Sequence, residues 1–348
     1  GASSETSVNL LVISDIHAHD SWPYSRQLPA GNSDRFQDAL NILDQVSRLI
    51  DETGVSDLII LGDLTHRRHS IRFSMYNALL AAVARLAQQV RQTVIVVGNH
   101  DLESAGDHSL YPFSYLPNAM VIEEPETVRL SDGDNVFVVP YDDNAERLVQ
   151  AVREGPTDIP LFAHYAAEGV QLESEYYLPS PLKIDDLHLK TGRVAVFGHV
   201  HSPVDQGQIV YVGDPQHFNF GDDGPRYLWR ILDGMACEPH ETVFPVFRTA
   251  RWPRIPVAPL SSGYLRILNV PIDRLDVAKE HAITLGWRDA VPSPAELPPE
   301  LIQAATQGLL LDRGVLESYV ARHCSDLASE DQRVVVDVGA QLLEEAQG

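Results

Sequence analysis

The chain has 348 residues, of which 44% are hydrophobic and 22% charged, and its formal net charge is −23. This composition is typical of a globular protein with a sizeable core, and no apolar run reaches the roughly 20 residues of a membrane span. The charge argues against binding nucleic acid through global basicity, although bound divalent cations would offset it locally. With only two cysteines we expect no disulfide framework and a cytoplasmic protein, or a host-cytoplasmic one if of phage origin.

The first hundred residues predict alternating strands and helices. A strand at 10–13 precedes a helix that begins at Ser33 or Asp34 and ends at Gly54, with apolar residues spaced by three and four. A strand at 58–61, a helix at about 71–89 and a strand at 94–97 follow. Such β-α-β units predict parallel strands with right-handed connections.

The pattern changes after residue 103. Residues 104–118 read as a loop, and we expect the short strands that follow to be antiparallel. The remaining predicted elements are strands at 119–122, 126–130, 135–139, 159–163, 194–197, 209–212 and 227–231 and a helix at 145–153. The predicted fold class is α/β, with a two-layered β core flanked by helices.

Proline-rich segments predict the domain boundaries. Residues 1–255 form the expected main domain, and residues 263–291 form a small module with a strand at 264–270 and a helix at about 275–285. Two further helices are predicted within 297–348. They are too few to enclose a core of their own, so we expect them to pack on the main body or on a partner.

Acidic, amide and imidazole side chains follow five of the predicted strands. Each motif alone could be a polar turn, but in open α/β sheets ligands bind beyond the carboxyl ends of strands. Mixed imidazole and carboxylate ligands suit Mn²⁺, Fe²⁺ or Zn²⁺, and so many ligands indicate two ions rather than one. The side chains are Asp15, His17, Asp63, Asn99, His100, His164, His199 and His201.

Taken in order, these motifs resemble those of a known enzyme family. Asp15-x-His17, Gly62-Asp63, Gly98-Asn99-His100-Asp101, His164 and Gly198-His199-x-His201 resemble the five motifs of the calcineurin-like metallophosphoesterases. Gly62-Asp63-Leu64-Thr65-His66 and Tyr211-Val212-Gly213-Asp214-Pro215 are similar to the nuclease subunit of SbcCD-type DNA repair complexes, in the compact form of tailed phages.

Two residues depart from the pattern of that nuclease family. Thr65 stands where its members often carry an aromatic residue, and Asp214 stands where they often carry a small hydroxyl residue. A carboxylate beside the DNA backbone would repel it. Because of Asp214, the sequence does not show where DNA would lie.

The resemblance implies two divalent ions, most readily Mn²⁺, with Mg²⁺, Fe²⁺ or Zn²⁺ as alternatives. It implies that His100 polarises the phosphate or protonates the leaving oxygen, that Asp101 orients His100, and that His66 is a second catalytic or substrate-positioning histidine. It implies that Asp63 bridges the two ions, with the other ligands divided as Asp15, His17 and His201 for one ion and Asn99, His164 and His199 for the other.

The same resemblance implies a Mn-dependent DNA exonuclease, and also a single-strand endonuclease, of a recombination or repair complex. Its partners would be DNA, a coiled-coil ABC-type ATPase bound by the C-terminal helices, and a second copy of the chain, without a membrane. Arg67, Arg68 and Arg72 could contact DNA phosphates or be solvated charges. The alternatives are a metallophosphoesterase for small phosphodiesters or phosphomonoesters, and a catalytically weak assembly subunit.

Overall fold

The computed structural model describes residues 9–19, 24–29, 31–66, 72–104, 106–168, 180–232 and 236–294, together with Val336. The chain divides into two compact units, one formed by residues 1–217 and 222–244 and the other by 218–221 and 245–348. Apart from Val336, the helices predicted within 297–348 lie outside the described residues, as do Arg67 and Arg68.

In chain order, the strands are β1 (Asn9–Ile13), β2 (Asp57–Leu61), β3 (Gln92–Val96), β4 (Leu102–Ser104), β5 (Asp107–His108), β6 (Ala119–Ile122), β7 (Glu126–Arg129), β8 (Asn135–Val139), β9 (Leu161–Ala163), β10 (Ala195–Phe197), β11 (Val204–Asp205), β12 (Ile209–Tyr211), β13 (Tyr227–Leu232), β14 (Ala236–Glu241), β15 (Val246–Arg251), β16 (Gly263–Val270) and β17 (Asp289–Pro294). The α-helices are α1 (Asp34–Thr53), α2 (Phe73–Gln89), α3 (Ala145–Glu154) and α4 (Leu275–Thr284). Short 3₁₀ helices span Tyr111–Tyr115, Ile184–Leu187, Leu189–Thr191 and Ile272–Arg274.

The first unit is built on two six-stranded sheets. Their strand orders are β14-β13-β1-β2-β3-β6 and β11-β12-β10-β9-β8-β7. In the first sheet, β1, β2, β3 and β6 are parallel, and in the second sheet β8, β9, β10 and β12 are parallel. The α/β class and the two-layered β core are therefore confirmed.

A shared apolar core joins the two sheets face to face. It is contributed by alternate residues of both sheets, among them Leu10 and Val94 from the first and Phe162 and Val196 from the second. A separate core forms on the other face of the second sheet, where α3 contributes Leu148, Val149 and Val152. The second sheet is thus buried on both faces, as parallel sheets require.

The predicted caps of α1 are present. The Ser33 hydroxyl accepts a hydrogen bond from the Phe36 amide at 3.1 Å, and Gly54 ends the helix in the left-handed region with φ 63°. Both match the preferred residues at helix ends. The helix predicted from residue 71 begins at Phe73.

The expectation of antiparallel strands after residue 118 was wrong for two of them. β6 pairs with β3 in parallel, because the connection 97–118 returns the chain to the other end of the sheet before β6 begins. β8 pairs in parallel with β9 and antiparallel with β7. The connection is also not all loop, since it contains the short β4–β5 hairpin and a 3₁₀ helix.

The second unit contains a parallel three-stranded sheet, β15-β16-β17, with α4. Its core includes Leu265, Ile267 and Ala278. The strand and helix predicted at 264–270 and 275–285 correspond to β16 and α4. No helix in the described part of the chain has the length and apolar composition needed to cross a membrane.

Candidate active site

The candidate site lies where parallel strands of both sheets end. Asp15 follows β1, Asp63 follows β2 and Asn99 follows β3, all in the first sheet. His164 follows β9 and His199 follows β10 in the second sheet. Because the two sheets pack face to face, their strand ends meet, and the structure brings all the predicted ligand residues together.

One group of side chains is formed by Asp15, His17 and His201. The Nε2 atoms of His17 and His201 are 3.2 Å apart, and Nε2 of His17 lies 3.6 Å from Oδ1 of Asp15. Asp214 joins this group, and one possible ligand atom from each of the four residues lies within 4.8 Å of the others. This group could hold one cation.

A second group is formed by Asp63, His164 and His199, with ligand atoms within the same 4.8 Å limit. The Asn99 side-chain oxygen lies between the two imidazoles, 3.2 Å from Nε2 of His164 and 2.9 Å from Nδ1 of His199. The Leu61 carbonyl accepts a 2.7 Å hydrogen bond from Nδ1 of His164, which leaves Nε2 to face the site.

Asp63 lies between the two groups. Its Oδ2 is 3.3 Å from Nε2 of His164 and 3.8 Å from Nε2 of His17. Its Oδ1 accepts a 2.8 Å hydrogen bond from the His100 amide. One oxygen therefore fixes the carboxylate to the backbone, and the other faces both groups.

The backbone at these positions is strained. Asp15, His17, Asp63 and His199 all have positive φ, at 54°, 47°, 51° and 74°. Non-glycine residues rarely adopt this region, and such strain is concentrated at functional sites. Space is equally restricted, since a Cβ atom on Gly98 would lie 2.2 Å from Oδ1 of Asp63.

His66 and His100 form a stacked pair beside the first group. Their ring centroids are 4.8 Å apart with an interplanar angle of 11°. Nδ1 of His66 lies 3.1 Å from Nδ1 of His17, and Nδ1 of His100 donates to the His66 carbonyl at 3.1 Å. The pair is therefore coupled to a candidate metal ligand, and Nε2 is the His100 nitrogen not used in that backbone bond.

Asp101, which the sequence predicts to orient His100, bonds to the backbone of two neighbouring loops. The buried Asp101 carboxylate accepts hydrogen bonds from the amides of Gly98 and Thr65 at 3.0 and 2.9 Å and from the Thr65 hydroxyl at 2.9 Å. It joins the loop after β2 to the loop after β3. Asp101 thus fixes the backbone of the two loops that carry His66 and His100.

Asp214, which departs from the pattern of the nuclease family, is buried beside His201. Its side chain is 0% exposed, and Oδ2 lies 3.4 Å from Nδ1 of His201.

Arg72, a predicted contact of DNA phosphates, is exposed at the start of α2.

Three aromatic side chains at the site were not predicted. His19 is buried, and its ring centroid lies 5.1 Å from that of His66. The ring centroids of Tyr141 and Tyr165 lie 5.9 and 6.2 Å from the ring centroid of His199. His19 could have been found from the alternation of Asp15, His17 and His19, since the segment 15–19 runs beside 62–66 and bridges Thr65 at Ala18. The two tyrosines follow no comparable pattern.

Charge pairs within the buried site set its pKa values. Burial alone would raise the pKa of Asp63, but His164 and His17 beside it lower that pKa. Burial alone would lower the pKa of His164, but Asp63 raises it to about 9. Burial and the charge of His164 lower the pKa of His199 to about 4, and burial lowers that of His66 to about 2.

The donor set fits divalent metal ions. Oδ1 of Asp15 and both carboxylate oxygens of Asp214 are buried without a hydrogen-bond partner, although buried polar atoms are almost always paired. The imidazole nitrogens and carboxylate oxygens of the two groups are ligands that suit Mn²⁺, Fe²⁺ or Zn²⁺. A cation near Asp15 would satisfy its unpaired oxygen.

The sequence model of the calcineurin-like phosphoesterase family matches residues 8–203, more than half of the chain. The chain belongs to this family. It is accordingly a metal-dependent phosphoester hydrolase, and the two groups at the strand ends are where its divalent metals could bind.

A curated relative is exonuclease subunit 1 of Enterobacteria phage T4, 23% identical over 196 residues. The match covers 51% of this chain and 53% of the relative, so the chain spans about half of that protein's length.

Solved structures with similarity include the phosphoesterase YfcE from E. coli, with TM-score 0.29 and 17% identity over 64% of this chain and 87% of that one. The Pseudomonas putida nuclease MPE has TM-score 0.29 and 16% identity, covering 66% and 87% of the two chains. A dimetal phosphatase from Danio rerio has TM-score 0.36 and 11% identity, covering 67% and 98%.

We expect the unfolding free energy of the metal-free protein to fall as the pH rises from about 7 to about 9. The pKa of His164 is raised from 6.5 to about 9 in the folded protein, so its proton stabilises the fold fully below pH 6.5 and is lost as the pH passes 9. The lowered pKa values of His66 and His199 act in the opposite direction, but between those values and the unfolded value of about 6.5, so most of this effect is complete at pH 7.

Urea unfolding of chelator-treated protein across this range measures the effect. The variant His164→Asn should show a weaker dependence on pH, because it lacks the group that titrates. Stability of the unaltered chain that stays level or rises over the range contradicts the Asp63–His164 pair.

Proposed function

We propose that the chain is a Mn²⁺-dependent DNA nuclease, an exonuclease that also cleaves single strands internally. The observation that carries the proposal is the position of Asp63, whose Oδ2 faces His17 of one ligand group and His164 of the other. A carboxylate shared in this way is suited to bridge two ions, and two-metal sites with ions about 3.5–4 Å apart catalyse displacement at phosphorus.

Two further observations support DNA as the substrate. The curated relative from phage T4 is named as an exonuclease subunit, and the match to it covers 51% of this chain. In the stacked His66–His100 pair, His66 places a second imidazole beside His100, the histidine proposed to act on the phosphate. The net charge of −23 favours the alternative, a hydrolase of small phosphodiesters, because a duplex would be repelled outside the site.

In the proposed assignment Asp63 would be shared by two ions, and three further residues would hold each ion. These are Asp15, His17 and His201 for one ion and Asn99, His164 and His199 for the other. When bound, the ions supply Lewis-acid stabilisation of the phosphoryl oxygens and lower the pKa of water. The carboxylates are preset for this task, since one oxygen of Asp15 accepts the His199 amide at 3.0 Å and one oxygen of Asp63 accepts that of His100.

His100 is the proposed proton donor to the leaving oxygen. Its Nδ1 proton is committed to the His66 carbonyl at 3.1 Å, so Nε2 is the nitrogen that exchanges a proton with substrate. Stacking on His66 restricts the rotation of the ring. An imidazole suits this role because its unperturbed pKa lies near neutrality.

The remaining parts of the proposal concern assembly. Residues 263–291 would be a capping module that contacts DNA, with Arg67, Arg68 and Arg72 as further phosphate contacts. Residues 297–348 would bind the coiled-coil base of an ABC-type ATPase, and the nuclease would act as a homodimer in cytoplasmic recombination or repair. The phage relative's name, which calls it a subunit, supports the existence of a partner.

The activity test uses end-labelled linear duplex DNA and bis-p-nitrophenyl phosphate in parallel, both with MnCl₂. We expect the unaltered chain to hydrolyse both. Asp63→Asn should lose both activities and the bound ions, whereas His100→Ala should retain the ions and lose roughly 10²–10⁴-fold in rate. Metal content is measured on each purified variant.

Two matched controls accompany these variants. Asp57→Asn alters a fully buried carboxylate at the other end of β2, where it bonds to Ser131, and His240→Ala removes a histidine on β14. Both should keep activity and metal. Hydrolysis of the small ester without any cleavage of DNA would replace the nuclease proposal by the small-phosphodiester alternative, and metal loss in His100→Ala would contradict its assignment as a proton donor.

Deleting residues 297–348 tests the partner proposal. We expect the shortened chain to hydrolyse bis-p-nitrophenyl phosphate at the rate of the full chain but to lose association with the ATPase in co-purification. The assignment of these residues is wrong if the shortened chain still co-purifies with the ATPase.

A further inference from the structure

Asp214 is held in fixed register with His201. It follows β12, and its amide donates a 2.9 Å hydrogen bond to the His201 carbonyl. The preceding Gly213 has φ 74°, and a Cβ atom there would lie 2.6 Å from the Pro203 nitrogen. The turn that carries Asp214 is therefore locked against the turn that carries His201.

The carboxyl group of Asp214 has no other evident task. It is fully buried, and neither oxygen has a hydrogen-bond partner. Its Oδ2 instead faces Nδ1 of His201 at 3.4 Å. A buried carboxyl group without hydrogen bonds lowers stability, so its presence requires a gain elsewhere.

The His201 ring faces the candidate metal site with its other nitrogen. Nε2 of His201 lies 3.2 Å from Nε2 of His17, which in turn lies near Asp15. A histidine that binds a metal through Nε2 carries its proton on Nδ1 and is held in place by an acceptor for that proton. Asp214 is the carboxyl group at that nitrogen.

His201 also needs a positioning group more than His164 does. The His201 side chain is 49% exposed, whereas His164 is fully buried and donates from Nδ1 to the Leu61 carbonyl at 2.7 Å. An exposed side chain loses more rotational freedom when it is fixed for binding. A buried acceptor behind the ring reduces that loss by restricting the ring before the ion arrives.

We propose that Asp214 is the positioning residue of His201: Asp214 accepts a hydrogen bond from the Nδ1–H of a metal-binding His201 and so strengthens one of the two metal sites. Asp214 is not itself a ligand in this proposal. The proposal rests on the two-metal function above, and it is specific to the site that contains Asp15, His17 and His201. The second site, with Asn99, His164 and His199, should not depend on Asp214.

The test is isothermal titration of MnCl₂ into chelator-treated protein. The unaltered chain should bind two Mn²⁺ ions. In Asp214→Leu, which has no acceptor, one of the two sites should weaken by roughly 10–100-fold while the other keeps its affinity. Asp214→Asn and Asp214→Ser, which keep an acceptor, should restore most of the loss. Asp57→Asn is the control for altering a buried carboxylate.

The thermal midpoint of the metal-free protein separates this role from a structural one. Asp214→Leu should unfold at the same or a higher temperature than the unaltered chain, because it removes an unpaired buried carboxyl group. If Asp214→Leu does not fold, Asp214→Ala, which also lacks an acceptor, takes its place. Weakening of one site in it supports the proposal, and full affinity at both sites or equal weakening of both overturns it.

Other outcomes are equally distinct. A folded Asp214→Leu protein that binds both ions with full affinity overturns the role of Asp214 but leaves the two-metal function intact. Failure of the unaltered chain to bind two ions overturns the two-metal function itself.

Discussion

The site depends on the packing of two sheets through one shared core. Asp63 belongs to the first sheet, whereas His164 and His199 belong to the second, so their separation is set by side chains such as Val94, Phe162 and Val196 between the sheets. Packed sheets lie about 10 Å apart. Side chains that extend from facing strand ends can meet across this distance. The apolar core therefore determines the spacing of the metal ligands.

Three of the ligands, Asp15, Asp63 and His164, are fixed by contacts to the backbone before any ion binds. One oxygen of Asp15 and one of Asp63 accept amides of the neighbouring loops, and the Leu61 carbonyl orients His164. These contacts require left-handed backbone at Asp15, Asp63 and His199. These hydrogen bonds thus offset the local backbone strain, and they leave the other carboxylate oxygens and the free imidazole nitrogen directed at the candidate metal site.

Much of this arrangement could be predicted from the sequence because it is local. Apolar runs of four residues predicted the strands, and a polar residue immediately after a strand must lie at its carboxyl end. The edge strands β14 and β17 were missed because both contain prolines, and prolines in a sequence usually predict a loop. Edge strands tolerate proline, and both strands lie at the edge of a sheet. The parallel direction of β6 depends on the path of a long connection, which local patterns do not encode.

Contacts between loops were harder to predict than the ligands themselves. Asp101 follows His100 in sequence, yet its carboxylate bonds to Thr65, a residue on another loop. In the sequence, Asp214 stood out only as a departure from the family pattern, whereas the fold buries it beside His201. In both cases the partner of the residue lies on a different loop, and the neighbouring residues in the sequence do not indicate which one.

The most direct test of this account is the anomalous diffraction of Mn²⁺ in crystals of the unaltered chain. We predict two peaks, about 3.5–4 Å apart, one on each side of the Asp63 carboxylate. The first peak should lie among Asp15, His17 and His201 and the second among Asn99, His164 and His199. A single peak, or peaks that do not contact Asp63, would contradict the claim that the strand ends of the two sheets form one two-metal site.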